Sequence, residues 1–127
     1  MVLLTLLYSL YNKLDLPLIF LYTISMKKIE KSFKKYGMNF KQIKRVGAVA
    51  IFEQSHPRWK DVRYEVVKIG CHSGYYLGGS KLEPAETYPG GSLWGIQGWT
   101  HQTLDRAEQQ FKVACKRFNN GSTLQVA

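Results

Sequence analysis

Cysteine is scarce in this sequence, and the two that occur, Cys71 and Cys115, belong to no CxxC pair and no spaced Cys/His cluster. A disulfide framework needs a denser set, so both read as reduced core thiols of a cytosolic protein. His56, His72 and His101 lie in separate segments, and the adjacency of Cys71 and His72 alone does not make a zinc site. Paired carboxylates are lacking, as is any feature that would lower the thiol pKa of Cys71 for nucleophilic work. Gly90, Gly91 and Gly95 do not follow a strand and open a helix, as phosphate-cradling glycines do. The expectation is therefore a protein that is not an enzyme and has no cofactor and no metal.

Long hydrophobic runs are missing too. Residues 2–10 and 14–24 are apolar, but Asn12, Lys13, Asp15 and Pro17 interrupt them, and each run is shorter than the roughly 20 residues a spanning helix needs. Three readings stand for this apolar extension, residues 1–25. Met26 and Met38 each offer a coding start, which makes it an over-extended, non-native N-terminus. The second apolar run followed by Lys27, Lys28 and Lys31 makes it a signal anchor or interfacial segment in contact with a membrane. An ordinary packed helix is the third. No small-residue cleavage site precedes the lysines, which argues against secretion. The expected location is cytoplasmic, with membrane association through residues 1–25 as the alternative.

Acidic residues are half as numerous as basic ones, nine against eighteen, and the formal charge is +9. That excess is local. Residues 26–45 carry Lys27, Lys28, Lys31, Lys34, Lys35, Lys41, Lys44 and Arg45 against Glu30 alone, a net of +7, whereas residues 1–25 are neutral and the rest of the chain carries +2. Ile29, Phe33 and Tyr36 recur at helical spacing with lysines around them, and Gly37 is placed to stop a helix. This pattern predicts a basic helical arm over residues 26–42, either a solvated face or a surface for phosphate or anionic lipid.

What is abundant is enough for one core: 127 residues, 45% hydrophobic and 13% aromatic. Residues 43–121 read as an α+β domain, a small antiparallel sheet of about four strands with one C-terminal amphipathic helix packed on it. The predicted strands are 43–52, 62–69, 75–77 and 93–100, with a loop at 80–92 holding Pro84, Pro89, Gly90 and Gly91. Tyr64 and Val66 alternate with Arg63 and Glu65. Glycines inside the last strand suggest a bulge or a close backbone approach. Leu104, Ala107, Phe111, Ala114, Cys115 and Phe118 form one helical stripe, with Thr103 as the cap, Asp105 at the start and Lys112, Lys116 and Arg117 toward the end. Asn120-Gly121 supplies the stop, and residues 122–127 form a disordered tail.

Trp94 and Trp99, separated by Gly95 and Gly98, put aromatic faces beside exposed backbone. They suit stacking on a base or sugar, gripping a partner protein, or core packing on Phe111 and Phe118. The run 63–69, then a variable loop, Trp94-Gly95-Ile96-Gln97-Gly98 and the final helix resembles the WGR domain over about residues 46–121. That resemblance implies an antiparallel sheet with one helix and contact with nucleic acid, the Trp matching Trp94 packing near DNA; where the motif has Arg, this sequence has Ile96. Tyr64-Glu65-Val66, Tyr88-Pro89, Trp94-Gly95 and Gly98-Trp99-Thr100 are also similar to a family of small bacteriophage proteins, with which no activity comes.

The functional expectation is a phage-type accessory binding module that touches DNA or another nucleic acid weakly. The residues expected to carry this are Lys27, Lys28, Lys31, Lys34, Lys35, Lys41, Lys44, Arg45, Trp94 and Gln97. The rival is a protein-interaction module, or an inhibitor of a host protein, using the Trp and Tyr surface as its hot spot. A chain lacking residues 1–37 is expected to keep its fold. Phe111 sits at the centre of the helical stripe, so Phe111→Ala is expected to cost about 3–5 kcal/mol in a urea unfolding titration.

Overall fold

The computed structural model describes residues 26–119. Within them the chain divides into two compact units: residues 29–70 with 87–119, and residues 26–28 with 71–86. The larger unit holds a five-stranded antiparallel sheet. Strands β1 (Ser32–Lys35), β2 (Met38–Val46), β3 (Val49–Ser55) and β4 (Arg63–Lys68) form a meander, and β9 (Gly98–His101) closes the far side against β4. Helix α1 (Leu104–Asn119) follows directly and packs across β3, β4 and β9. The α+β class and the C-terminal helix are as expected, with five strands in place of four.

The basic segment is not a helix. Phe33 lies opposite Phe40 and Lys35 opposite Met38, so a two-residue alternation runs through β1 and β2. Tyr36 (φ 55°) and Gly37 (φ 77°) turn the chain between them, the two positive φ angles of a two-residue hairpin whose twist matches its strands. Ile29 and Phe33, four apart, share a face in a helix and in a strand alike, and the run was too short to tell the two apart; both pack on the second core, and Tyr36 falls in the turn. The predicted strand 43–52 also divides. Gly47 (φ +60°) turns it into the end of β2 and the start of β3.

Register fixes two faces. On one, Val49, Ile51, Val66 and Trp99 meet Ala107, Phe111 and Ala114 of α1, with Phe111 5% exposed as its place in the stripe predicts. On the other, Ala50, Phe52 and Val67 meet Phe40, Phe33, Tyr88 and Trp94. β3 therefore buries Val49, Ala50, Ile51 and Phe52 in succession, the unbroken apolar run of a central strand covered on both sides. The second face is held by rings. Phe33 stacks on Phe40 at 4.8 Å, and Tyr88 meets Phe33, Phe40 and Phe52 edge-on at 5.3–5.6 Å.

The helix is capped as expected: the Arg106 N–H donates to Thr103 Oγ1 at 3.2 Å. Its expected stop at Asn120-Gly121, like the tail 122–127 and the extension 1–25, lies outside the described residues. At the last described turn Asn119 clasps the β2–β3 turn, donating from Nδ2 to the Val46 carbonyl at 2.9 Å and accepting from the Ala48 N–H at 3.3 Å. A Cβ on Gly47 would lie 2.7 Å from Asn119 Oδ1.

The smaller unit contains the hairpin β6 (Tyr75–Leu77) and β7 (Ser80–Leu82), turned by Gly78 and Gly79 at positive φ. β5 (Gly70–His72) pairs with β8 (Ala85–Thr87), so the segment 80–92 expected to be loop holds two short strands. Cys71 is exposed rather than a core thiol, and Cys115 is half-buried beside the helix core; both are free. No helix among the described residues is long and apolar enough to cross a membrane.

Because β1 and Phe33 belong to the sheet, removal of residues 1–37 strips an edge strand and one ring from the second core, contrary to the expectation from sequence. Phe33→Ala should cost about 2–3 kcal/mol, below the usual range for a fully buried Phe since this ring is half-buried. Urea unfolding of the variant and of the truncated chain checks both; an unchanged midpoint would place Phe33 outside the core.

Candidate functional site

The second face of the sheet ends in a concavity of about 220 Å3. Tyr36, Tyr88 and Trp94 supply aromatic walls, Met38, Phe40, Gln54 and Glu65 line it from the sheet, and Lys35 and Pro89-Gly90-Gly91 complete its edge. Strand alternation explains the lining. Phe40 lies opposite Gln54 in the β2–β3 ladder, and Phe52, one place along that same face of β3, lies opposite Glu65 in β4.

Tyr88 arrives from the segment after β8, and Trp94 from the short 3-10 turn Gly91–Leu93. The Trp94 placement depends on the glycines around it. The Ile96 and Gln97 N–H groups both donate to the Leu93 carbonyl, and Gly95 takes φ +91° while its N–H donates to the Gly98 carbonyl at 2.7 Å. The indole then lies on the Gly98 backbone, where a Cβ would come within 2.5 Å of the ring. The close approach expected from glycines in this run is real, although only residues 98–101 of it are strand.

A polar chain runs beneath the walls. Trp94 Nε1–H donates to Thr100 Oγ1 at 2.9 Å, the Thr100 hydroxyl bonds to the Glu65 carboxylate, and the Tyr88 hydroxyl donates to Glu65 Oε1 at 2.6 Å. Glu65 is 7% exposed. Burial pushes its carboxyl above the ordinary carboxylate value, while the Tyr88 hydrogen bond, the charges of Arg63 and Lys35 and the Thr100 hydroxyl pull it back. Burial also raises the Tyr88 phenol, and the neighbouring carboxylate raises it further. Gln54, 5% exposed, donates from Nε2 to Met38 Sδ at 3.2 Å.

The residues expected to bind nucleic acid are spread by the fold. Lys35 and Trp94 meet at the concavity. Lys34, Lys41 and Lys44 point to the opposite, helix-bearing face. Lys44 is already engaged, 2.6 Å from Glu108 Oε2 and over the Phe111 ring. Arg45 donates to the Gly47 carbonyl at 2.8 Å. Lys31 is exposed just before β1, and its carbonyl accepts the Gln42 N–H. Lys27 and Lys28 belong to the smaller unit, where Lys28 stands 3.8 Å from Glu86. Gln97 accepts the Lys68 N–H through its carbonyl and does not line the concavity. Trp94 and Trp99 occupy opposite faces, so Trp99 packs in the Phe111 and Phe118 cluster and Trp94 does not.

Sequence reading missed Glu65, Tyr88, Gln54, Thr100 and Tyr36. The available signal was the pair of short motifs Tyr64-Glu65-Val66 and Tyr88-Pro89, which the fold brings together through one hydrogen bond. A second concavity, lined by His101, Arg106, Gln109, Gln110 and Val113, has no aromatic wall and no buried acid. Among the described residues no group of three or more His, Cys, Asp or Glu could hold a metal ion. Compared with known proteins, the chain matches no family model, no curated protein and no solved structure.

Glu65 makes stability depend on pH in a direction set by its shift. Its folded-state value lies above the 4.5 of a free carboxyl, so the native state holds this proton more tightly than the unfolded chain. That contribution is complete below pH 4.5 and is lost as pH rises through the folded-state value. The stability of the native protein relative to Glu65→Gln should therefore fall as pH is raised from about 4 toward neutrality, read by urea unfolding at each pH. A difference that grows with pH would reverse the assigned cause.

Proposed function

We propose that this protein is a non-enzymatic accessory module that binds nucleic acid weakly through the β1–β2 hairpin. One observation carries the reading. Between residues 31 and 46 the chain has six cationic side chains and no acidic one, and the fold lays this stretch out as the first two strands of the sheet, joined by the Tyr36-Gly37 turn. Alternation puts Lys34 and Lys41 on one side of the ribbon and Lys35 on the other. At its tip Tyr36 is 83% exposed, with the Lys35 ammonium 5.3 Å from its ring centroid. An exposed ring among lysines suits a base stacked between phosphates, since phosphates take the cations and every base has a face to stack. The resemblance of residues 46–121 to the WGR domain implies contact with nucleic acid as well, although it does not extend to the hairpin.

A protein partner is the second reading, favoured by the β6 strand, where Tyr75, Tyr76 and Leu77 are all exposed on consecutive positions. Aromatic anchors of this kind bind with little dependence on salt, whereas phosphate contacts release counterions.

The test is the anisotropy of a labelled oligonucleotide titrated with the full chain over a range of salt. Replacing Lys31, Lys34, Lys35 and Lys41 with Gln should reduce the salt slope by about 3. Tyr36→Ala should weaken binding by about 1–3 kcal/mol with the slope unchanged, because losing a stacked ring releases few ions. If the four-lysine variant binds as the native protein does, the hairpin is a solvated edge and the partner is to be sought through Tyr75, Tyr76 and Leu77.

A further inference from the structure

We propose that the concavity walled by Tyr88 and Trp94 is a base pocket selective for guanine, which seats one nucleobase of the strand held by the β1–β2 hairpin. The inference rests on the nucleic-acid reading and adds to it a site, a ligand and a basis for selectivity.

The pocket is graded in polarity from edge to floor. Lys35 stands at the edge between two rings, its Nζ 5.3 Å from the Tyr36 centroid and 5.7 Å from the Tyr88 centroid. Glu65 lies at the sheet, 7% exposed. A ligand that is anionic at one end and donates hydrogen bonds at the other matches this order, and a nucleotide with its phosphate outward and its base inward is such a ligand. The size agrees. About 220 Å3 is below the roughly 300–1,000 Å3 of pockets that take drug-sized molecules, which leaves room for a single heterocycle between the rings.

Acceptor chemistry selects the base. An ionised carboxylate is acceptor-only, with about four lone-pair directions, and Tyr88 and Thr100 occupy two of them. The remaining directions call for N–H donors. Guanine offers two adjacent ones, N1–H and N2–H, on its Watson–Crick edge. Adenine and cytosine pair each donor with a ring acceptor, and uracil or thymine flanks its one N–H with two carbonyl oxygens that a carboxylate repels. Burial favours the protonated form of Glu65 and the Arg63 and Lys35 charges offset part of that, so a ligand that donates to the carboxylate replaces water lost on burial and draws the group toward its ionised form.

The experiment measures the full chain against the 5′-monophosphates of guanosine, adenosine, cytidine and uridine by calorimetry, beside the salt-titrated oligonucleotide assay. The guanine nucleotide should bind about tenfold or more tightly than the others, the discrimination expected of a paired hydrogen bond to one base edge. Glu65→Gln should abolish that preference, because an amide presents a donor where guanine needs an acceptor. Gly91→Leu serves where the Glu65 variant does not fold. Gly91 lines the pocket, and an added Cβ there meets no atom within 4 Å, so this variant should fold and weaken every nucleotide while leaving the oligonucleotide salt slope in place. Equal affinity for the four nucleotides, a guanine preference that survives Glu65→Gln, or nucleotide binding undiminished in Gly91→Leu overturns the pocket. Salt-steep oligonucleotide binding without base preference removes the pocket and leaves the hairpin reading standing. Guanine-nucleotide binding without oligonucleotide binding does the reverse.

Discussion

The second layer of this protein depends on one side chain, Tyr88. Its ring fills the space between Phe33, Phe40 and Phe52, and its hydroxyl reaches the Glu65 carboxylate at 2.6 Å. These two contacts have different origins and act on the same segment. The ring removes apolar surface from water wherever it packs, but the hydroxyl can be satisfied only at one place, so the segment after β8 has one position over the sheet. Without that cover Glu65 would sit on a solvated face, as its alternation with Tyr64 and Val66 suggests. Under it, the acid is buried, its pKa rises, and the sheet has a core on each side.

Trp94 extends the same cover. Its indole lies against the Gly98 backbone and donates to Thr100, which in turn bonds to Glu65. Glycine at 98 is thus a matter of space, and Gly95 at φ +91° one of backbone conformation. Trp99, one residue beyond Gly98, points to the other face and joins the helix core. Two tryptophans that look like a matched pair in the sequence do separate work, one in each layer, because Trp99 is a strand position facing the helix whereas Trp94 is placed over the other face by the 3-10 turn before β9.

Charge is distributed by the same alternation. A helix would have gathered the lysines of residues 27–35 around one arm, but the ribbon sends Lys34 and Lys41 to one face and Lys35 to the other, and Lys44 is neutralised by Glu108 of the helix. What the ribbon keeps is a basic edge with an exposed ring at its tip. The aromatic concavity begins at that tip, since Lys35 and Tyr36 belong to both. A basic edge and a ring-lined pocket are therefore adjacent on one unit of the chain, and on this adjacency rests the proposal of a strand with one inserted base.

The sequence by itself determined the C-terminal helix, its Thr103 cap and the burial of Phe111, because helical periodicity sustained over four turns has no strand equivalent. It also determined β4 and the close backbone approach at Gly98, through alternation and through the need for a residue without Cβ. It did not determine the hairpin, since Ile29 and Phe33 share a face in helix and strand alike, Tyr36 completes a helical spacing, and the turn uses Tyr36, a residue seldom found at positive φ. The site was decided by tertiary structure alone. Glu65 and Tyr88 are ordinary in isolation, one an acid between a tyrosine and a valine and the other a tyrosine before a proline. Only the pairing of β4 in the sheet and the fall of the 87–94 segment across it put them 2.6 Å apart under a hydrophobic layer, where desolvation gives each a pKa and a partner that no local pattern encodes.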